Sequence, residues 1–152
     1  MNSATLTIVG LGPAGLNRLS TRAIEILRST DRSVIIRTSH HPAAEELLAE
    51  RTVVTCDDLY DSAGDFDEVY RAIADRVLST AGAGSCVYAV PGSAVVGERA
   101  VTEIRERATT AGMAVDIIPG ESFLDLVYVE AGLDPIASPV KILDGRDLPD
   151  PL

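Results

Sequence analysis

Short, continuously apolar runs rich in β-branched residues recur along this chain, and a segment with helical period follows each one. That alternation is the strongest constraint on the fold, because strands that are apolar on both faces must be covered on both faces. The runs fall at residues 5–9 (closed by Gly10), 33–37, 52–55, 86–90 and 114–118. Between them, Ser20 or Thr21 is placed to cap a helix carrying Ala23, Ile24, Ile26 and Leu27. Pro42 opens a shorter helix through Glu45-Glu46-Leu47-Leu48. Asp65 can cap a longer one with Phe66, Val69, Ile73, Val77 and Leu78 at helical spacing. Two more are expected near 97–111 and 122–131, the last stopped by Gly132 and Pro135. The pattern predicts an α/β fold: three layers, α/β/α, around a mainly parallel sheet of five strands, with about five helices and right-handed crossovers.

At 152 residues and 46% hydrophobic, the chain is long enough for one buried core and too apolar for a disordered segment. Thirteen Lys and Arg against 23 Asp and Glu give a formal charge of -10. That balance argues against nucleic acid and against an anionic membrane surface as partners. Cys56 and Cys86 form neither a disulfide framework nor a metal-spaced pair, which fits a reducing, cytoplasmic setting. Residues 1–4 lack the basic region and apolar core of a signal peptide, and no apolar run reaches the roughly 18 residues of a membrane helix. Residues 1–133 read as one α/β lobe. Residues 134–152 hold four of the eight prolines, show no helical period, and read as a linker or extension.

The positions of the Gly-Pro clusters bear on function. Gly10-Leu11-Gly12-Pro13-Ala14-Gly15 follows the first run, Pro91-Gly92-Ser93-Ala94 the fourth, and Pro119-Gly120-Glu121-Ser122 the fifth. In an open parallel sheet the carboxyl ends of all strands share one edge, where ligands bind. Glycine lets backbone approach a ligand and take positive φ, and proline stiffens the turn. Any one cluster reads most simply as a tight strand-to-helix turn. Three on one edge predict a preformed crevice offering backbone amides and carbonyls.

The first cluster also matches G-x-G-x-x-G, the dinucleotide fingerprint. Two features weigh against it. A Rossmann helix starts inside the glycine motif, whereas Asn17, Ser20 and Thr21 place the cap several residues later. The acidic residue expected about 20 positions on is missing. Arg37-Thr38-Ser39 closes the second run instead, and Arg37 could meet a 2′-phosphate, so a Rossmann-type NADP- or FAD-binding domain stays as an alternative.

Val9-Gly10-Leu11-Gly12-Pro13-Ala14-Gly15, the stretch Tyr88-Ala89-Val90-Pro91-Gly92-Ser93-Ala94-Val95-Val96-Gly97-Glu98-Arg99, and Ile118-Pro119-Gly120-Glu121-Ser122-Phe123-Leu124-Asp125 together resemble the tetrapyrrole (corrin/porphyrin) methylase superfamily. The resemblance points in particular to the methylase-like domain that precedes the pyrophosphohydrolase domain of some MazG-type proteins. Arg37-Thr38 with His41-Pro42, and Cys56-Asp57-Asp58-Leu59-Tyr60, are similar to that subgroup as well. The likeness runs through roughly residues 5–148. It implies the N-terminal lobe of an S-adenosylmethionine-dependent methyltransferase, with the cofactor folded between two α/β lobes.

Carried over residue by residue, the resemblance implies that Pro13, Gly92, Val95, Ser122 and Phe123 touch the methionine or ribose part of the cofactor. Pro13 and Gly92 would act through backbone or shape, and Ser122 through a hydrogen bond. The family's Gly-Asp-Pro reads Pro91-Gly92-Ser93 here, so a charge-assisted partner for the cofactor is replaced by Gly92. The cleft would be incomplete on this chain alone, since one wall neither excludes water nor orients two reactants. Leu143-Asp144-Gly145-Arg146-Asp147-Leu148 looks like the start of a connection to the second lobe. No catalytic side chain is identified. A homodimer and a covalently attached downstream domain are further expectations from the likeness. The main alternative is a non-catalytic regulatory domain of a MazG-type nucleoside triphosphate pyrophosphohydrolase.

Other constellations do not complete a site. Gly120-Glu121-Ser122-Phe123-Leu124 lacks the closing glycine of a nucleophile elbow, and both histidines precede Ser122, contrary to hydrolase order. Adjacent His40 and His41 cannot face one ion from a regular element, so they read as loop residues before Pro42, and no metal site is expected. Glu103-Ile104-Arg105-Glu106 is a lone E-x-x-E among Arg99, Arg105 and Arg107, a solvated helix face. Asp57, Asp58, Asp61, Asp65, Asp67 and Glu68 suit helix capping.

Overall fold

The computed structural model describes residues 6–145 and 148. Five strands, β1 (Leu6–Gly10), β2 (Ser33–Ile36), β3 (Val54–Thr55), β4 (Cys86–Val90) and β5 (Val115–Ile118), form one sheet in the order β3-β2-β4-β1-β5. Every strand pair is parallel, with Gly10 opposite Val90 and Val9 opposite Ile118. Six α-helices are present among the described residues: α1 (Thr21–Arg28), α2 (Pro42–Glu50), α3 (Asp57–Ser62), α4 (Phe66–Ala83), α5 (Arg99–Thr110) and α6 (Phe123–Ala131). A single 3₁₀ turn at Leu16–Arg18 precedes α1.

Alternation along the strands sorts the core onto two faces of the sheet. Leu6, Ile8, Ile35, Tyr88 and Val90 pack with Val69, Ile73 and Val77 of α4 and with Val101 and Ile104 of α5. Val9, Val34, Ile36, Val87 and Ala89 pack with Leu27 of α1 and Leu47 of α2. The expected three layers result. Strands β1 and β4 are buried at every position, which is why they read as continuous apolar runs. Each fully buried aliphatic side chain contributes roughly 1.5–3 kcal/mol, so both faces are needed to hold the sheet.

Helix starts follow the expected caps. Ser20 Oγ accepts from the Ala23 N–H at 3.2 Å, and Asp65 Oδ1 from the Glu68 N–H at 2.8 Å. Two expectations need correction. The third strand is only Val54–Thr55, not 52–55, because it is an edge strand paired with Ile35 and Ile36 alone. A sixth helix, α3, was not expected, since its one and a half turns are too short to show a period. Residues 133–145 form neither helix nor strand and are exposed, in keeping with their proline content. Thr5, Arg146 and Asp147 lie outside the described residues. Both cysteines are free and buried. Among the described residues, no helix is long and apolar enough to cross a membrane.

Candidate functional site

The turns after β1, β4 and β5 interlock at the carboxyl edge of the sheet. Gly12 and Gly92 form an isolated antiparallel bridge, with Gly12 N–H donating to the Gly92 carbonyl at 2.9 Å and Gly92 N–H to the Gly12 carbonyl at 2.8 Å. Ala94 N–H donates to the Pro119 carbonyl at 2.7 Å. Glycine is demanded by this contact. A Cβ on Gly120, whose φ is +77°, would stand 2.6 Å from the Gly10 carbonyl oxygen, and one on Gly10 would stand 2.6 Å from that of Gly92. Backbone meets backbone, leaving no room for a side chain between.

Beside these turns lies a hollow of about 360 Å³, bordered by Gly10, Gly12, Ser20, Pro119, Gly120 and the ion pair of Arg18 with Glu121. That pair is bidentate, with Arg18 Nε to Glu121 Oε2 at 3.0 Å and Nη2 to Oε1 at 2.7 Å. Both side chains are partly exposed, so the pair adds little stability. Its effect is positional, tying the 3₁₀ turn to the turn after β5. His41, buried at the start of α2, reaches the same region, with Nε2 2.9 Å from the Gly12 carbonyl oxygen. The first glycine cluster runs into the 3₁₀ turn, and α1 begins only at Thr21. In a Rossmann pyrophosphate site that helix starts at the glycines themselves.

The five residues expected to touch cofactor stand on or beside these turns, but none lines the hollow itself. Gly92 is one half of the Gly12–Gly92 bridge, and Pro13 follows the other. Val95 is 57% exposed and Phe123 55%. Ser122 caps α6: its Oγ accepts from the Leu124 N–H at 3.1 Å, and its own N–H donates to Asp125 Oδ2 at 3.1 Å. The hydroxyl hydrogen is left to donate. Glu121 lies in the third glycine cluster and His41 in a stretch shared with the resembled subgroup, but the pairing of Glu121 with Arg18 and the contact of His41 with Gly12 were not legible in the sequence. No motif marks Arg18, and the value of His41 depends on a fold-back over 29 residues.

An open, all-parallel five-strand sheet with interlocked glycine turns at its carboxyl edge defines the class, an α/β lobe whose first helix starts beyond the glycine motif. Residues 5–143 match the Tetrapyrrole (Corrin/Porphyrin) Methylases, and the chain belongs to that family. It is 35% identical over 132 residues to the uncharacterized protein YabN of Bacillus subtilis (strain 168), a match spanning 86% of this chain and 27% of YabN. Uroporphyrin-III-C-methyltransferase from Thermus thermophilus shares the fold with a TM-score of 0.64 at 22% identity, over 85% of this chain and 53% of that one. Diphthine synthase matches with a TM-score of 0.61 at 26% identity, over 86% and 50%. A Thermus thermophilus uroporphyrin-III C-methyltransferase complexed with S-adenyl homocysteine matches with a TM-score of 0.55 at 21% identity, over 85% and 48%. The chain thus spans about half the length of these enzymes and about a quarter of YabN.

Proposed function

We propose that this chain is the cofactor-binding N-terminal lobe of an S-adenosylmethionine-dependent methyltransferase of the tetrapyrrole methylase type. The interlock of Gly12, Gly92 and the Pro119-Gly120 turn carries the reading, because it builds a rigid, glycine-lined edge in which backbone rather than side chain meets a ligand. The residues fit the group. The point where a Cβ of Gly92 would stand is open space, and the Ser122 hydroxyl can donate to a carboxylate or ribose oxygen. The bound cofactor supplies an electrophilic methyl group. Pro13, Gly92, Val95, Ser122 and Phe123 hold and orient it, which is most of what methyl transfer asks of a protein.

A second lobe of the same polypeptide completes the cleft in this reading. Helix α6 buries no residue. Its Phe123, Val127 and Val129, with Leu133, Ile136 and Ile142 beyond it, are exposed apolar surface. A run of this kind marks a covered face, and similar enzymes are about twice this length. Calorimetry with S-adenosylhomocysteine tests the proposal. We expect weak or no binding by the 152-residue chain and at least about tenfold tighter binding once the second lobe is added. Tight NADP(H) binding instead would move the assignment to a Rossmann-type domain.

The length of YabN favours one other reading, a non-catalytic regulatory domain joined to a MazG-type pyrophosphohydrolase. A two-lobed methylase would leave about half of YabN for a further attached domain. Unchanged activity of the longer protein after Gly92→Ala would support that role. The family likeness also leads us to expect a homodimer, measurable by sedimentation. The two buried free thiols suit a cytoplasmic setting.

A further inference from the structure

A second hollow, of about 350 Å³, opens on the same sheet edge where β2 and β3 end, lined by Arg37, Thr38, His40, Asp57, Tyr60 and Asp61. Arg37 continues the β2–β4 ladder, its N–H donating to the Ala89 carbonyl at 2.9 Å. Arg37 is held from two sides. Its Nε donates to Tyr60 Oη at 3.1 Å, and its Nη1 pairs with Glu98, at the far end of the loop that opens with Pro91-Gly92. Glu98 is nearly buried, at 7% side-chain exposure, while Arg37 keeps 29%. The arginine therefore links the β4 turn to the second hollow and still faces solvent.

We propose that this hollow is the acceptor subsite, and that it takes an amino-acid-like zwitterion: a carboxylate on Arg37 and Tyr60, and an amino group on Asp61. The assignment rests on the methyltransferase reading above. Arg37 Nη2 has no partner among the described residues, and Tyr60 Oη, which accepts from Arg37 Nε, keeps its own hydrogen to donate. Both residues line the same hollow, and a guanidinium beside a phenol is a donor set that suits a carboxylate. Asp57 is already committed. Burial opposes its ionisation, but hydrogen bonds from Thr38, Ser39 and Thr55 outweigh that and hold its carboxyl at about 2. Asp61 has no ion-pair or hydrogen-bond partner among the described residues. Glu98 balances the charge of Arg37, so Asp57 and Asp61 leave the hollow net negative. A compact polyanion is repelled there, while a zwitterion is satisfied at both ends. Tyr88 of β4 is fully buried, and its Oη has no hydrogen-bond partner among the described residues.

The test is an NMR titration of the isotopically labelled 152-residue chain with L-glutamine, acetate, methylammonium and inorganic phosphate as separate probes. L-Glutamine should give saturable shifts at the amides of Arg37, Thr38, His40 and Tyr60, and Tyr60→Phe and Arg37→Lys should each weaken them at least fivefold. Asp61→Asn should weaken L-glutamine and leave the feeble response to acetate unchanged. Saturation by phosphate as tight as by L-glutamine would overturn the zwitterion assignment. Absence of saturable shifts with L-glutamine, or equal affinity in Tyr60→Phe, would overturn the subsite. S-Adenosylhomocysteine added separately reports on Gly12, Gly92 and Gly120, so failure of the cofactor reading registers at other amides.

Discussion

His41 Nε2 lies 2.9 Å from the carbonyl oxygen of Gly12, the same oxygen that accepts the Gly92 N–H at 2.8 Å. One carbonyl thus joins the loop after β2 to the turns after β1 and β4. Because a carbonyl only accepts, Nε2 carries a proton; Nδ1 is buried and has no hydrogen-bond partner among the described residues. The ring makes no capping bond to α2; it serves the glycine turn instead.

His41→Ala should therefore loosen the glycine turn as well as open a small cavity. A loss of about 2–3 kcal/mol is expected from the unmade buried hydrogen bond and the removed volume. Urea denaturation measures it, and His41→Gln, which keeps an N–H donor, should recover part. Equal losses in the two variants would show that the ring acts by packing alone.

The glycines of the edge should rank by what surrounds them. Gly120→Ala places a methyl group against the Gly10 carbonyl at a positive φ, and should remove more than about 3 kcal/mol or prevent folding. Gly92→Ala meets open space, so only the left-handed backbone is penalised, by about 1–2 kcal/mol. Thermal and urea unfolding of both variants would show the order.

Arg37→Met should be pH-dependent in its effect. Burial pushes the Glu98 carboxyl up, and the Arg37 guanidinium restrains the rise. A carboxyl whose folded pKa exceeds its unfolded value of about 4.3 loses stability as pH rises between the two. Without Arg37 that rise is larger and the window extends upward. The variant should lose about 3 kcal/mol at pH 8 and much less at pH 4, as followed by denaturation across that range.

Asp57 has the opposite sign. Its carboxyl sits at about 2 when folded, against about 3.9 when unfolded. The stabilisation is present above pH 4 and is lost as pH falls from 4 to 2. Discounted for solvent screening, it amounts to about 1 kcal/mol. Asp57→Asn should be less stable than the parent by that amount at pH 7, with the gap closing by pH 2. A constant gap would assign the role of Asp57 to packing.

The architecture was legible in the residue order because it follows from local chemistry. Apolar runs buried on both faces, the caps at Ser20 and Asp65, and glycines after strands declare themselves without long-range information. The five-strand parallel sheet and its three layers needed nothing more. Helix α3 and the shortness of β3 were not legible, since a turn and a half has no period and an edge strand ends where its partner's hydrogen bonds end. The partners of individual side chains were equally hidden. Ser122, expected from the resemblance to touch cofactor, caps its own helix in the structure, while Arg18 with Glu121, His41 on Gly12, and Arg37 between Tyr60 and Glu98 were not visible as pairs. Sequence alone determined which turns stand on the carboxyl edge of the sheet, because the conformational preferences of glycine and proline and the apolar runs that mark strands are local. Only the tertiary structure decided which groups meet there, because each such contact joins residues that are distant in the chain and adjacent only once the sheet has closed its order.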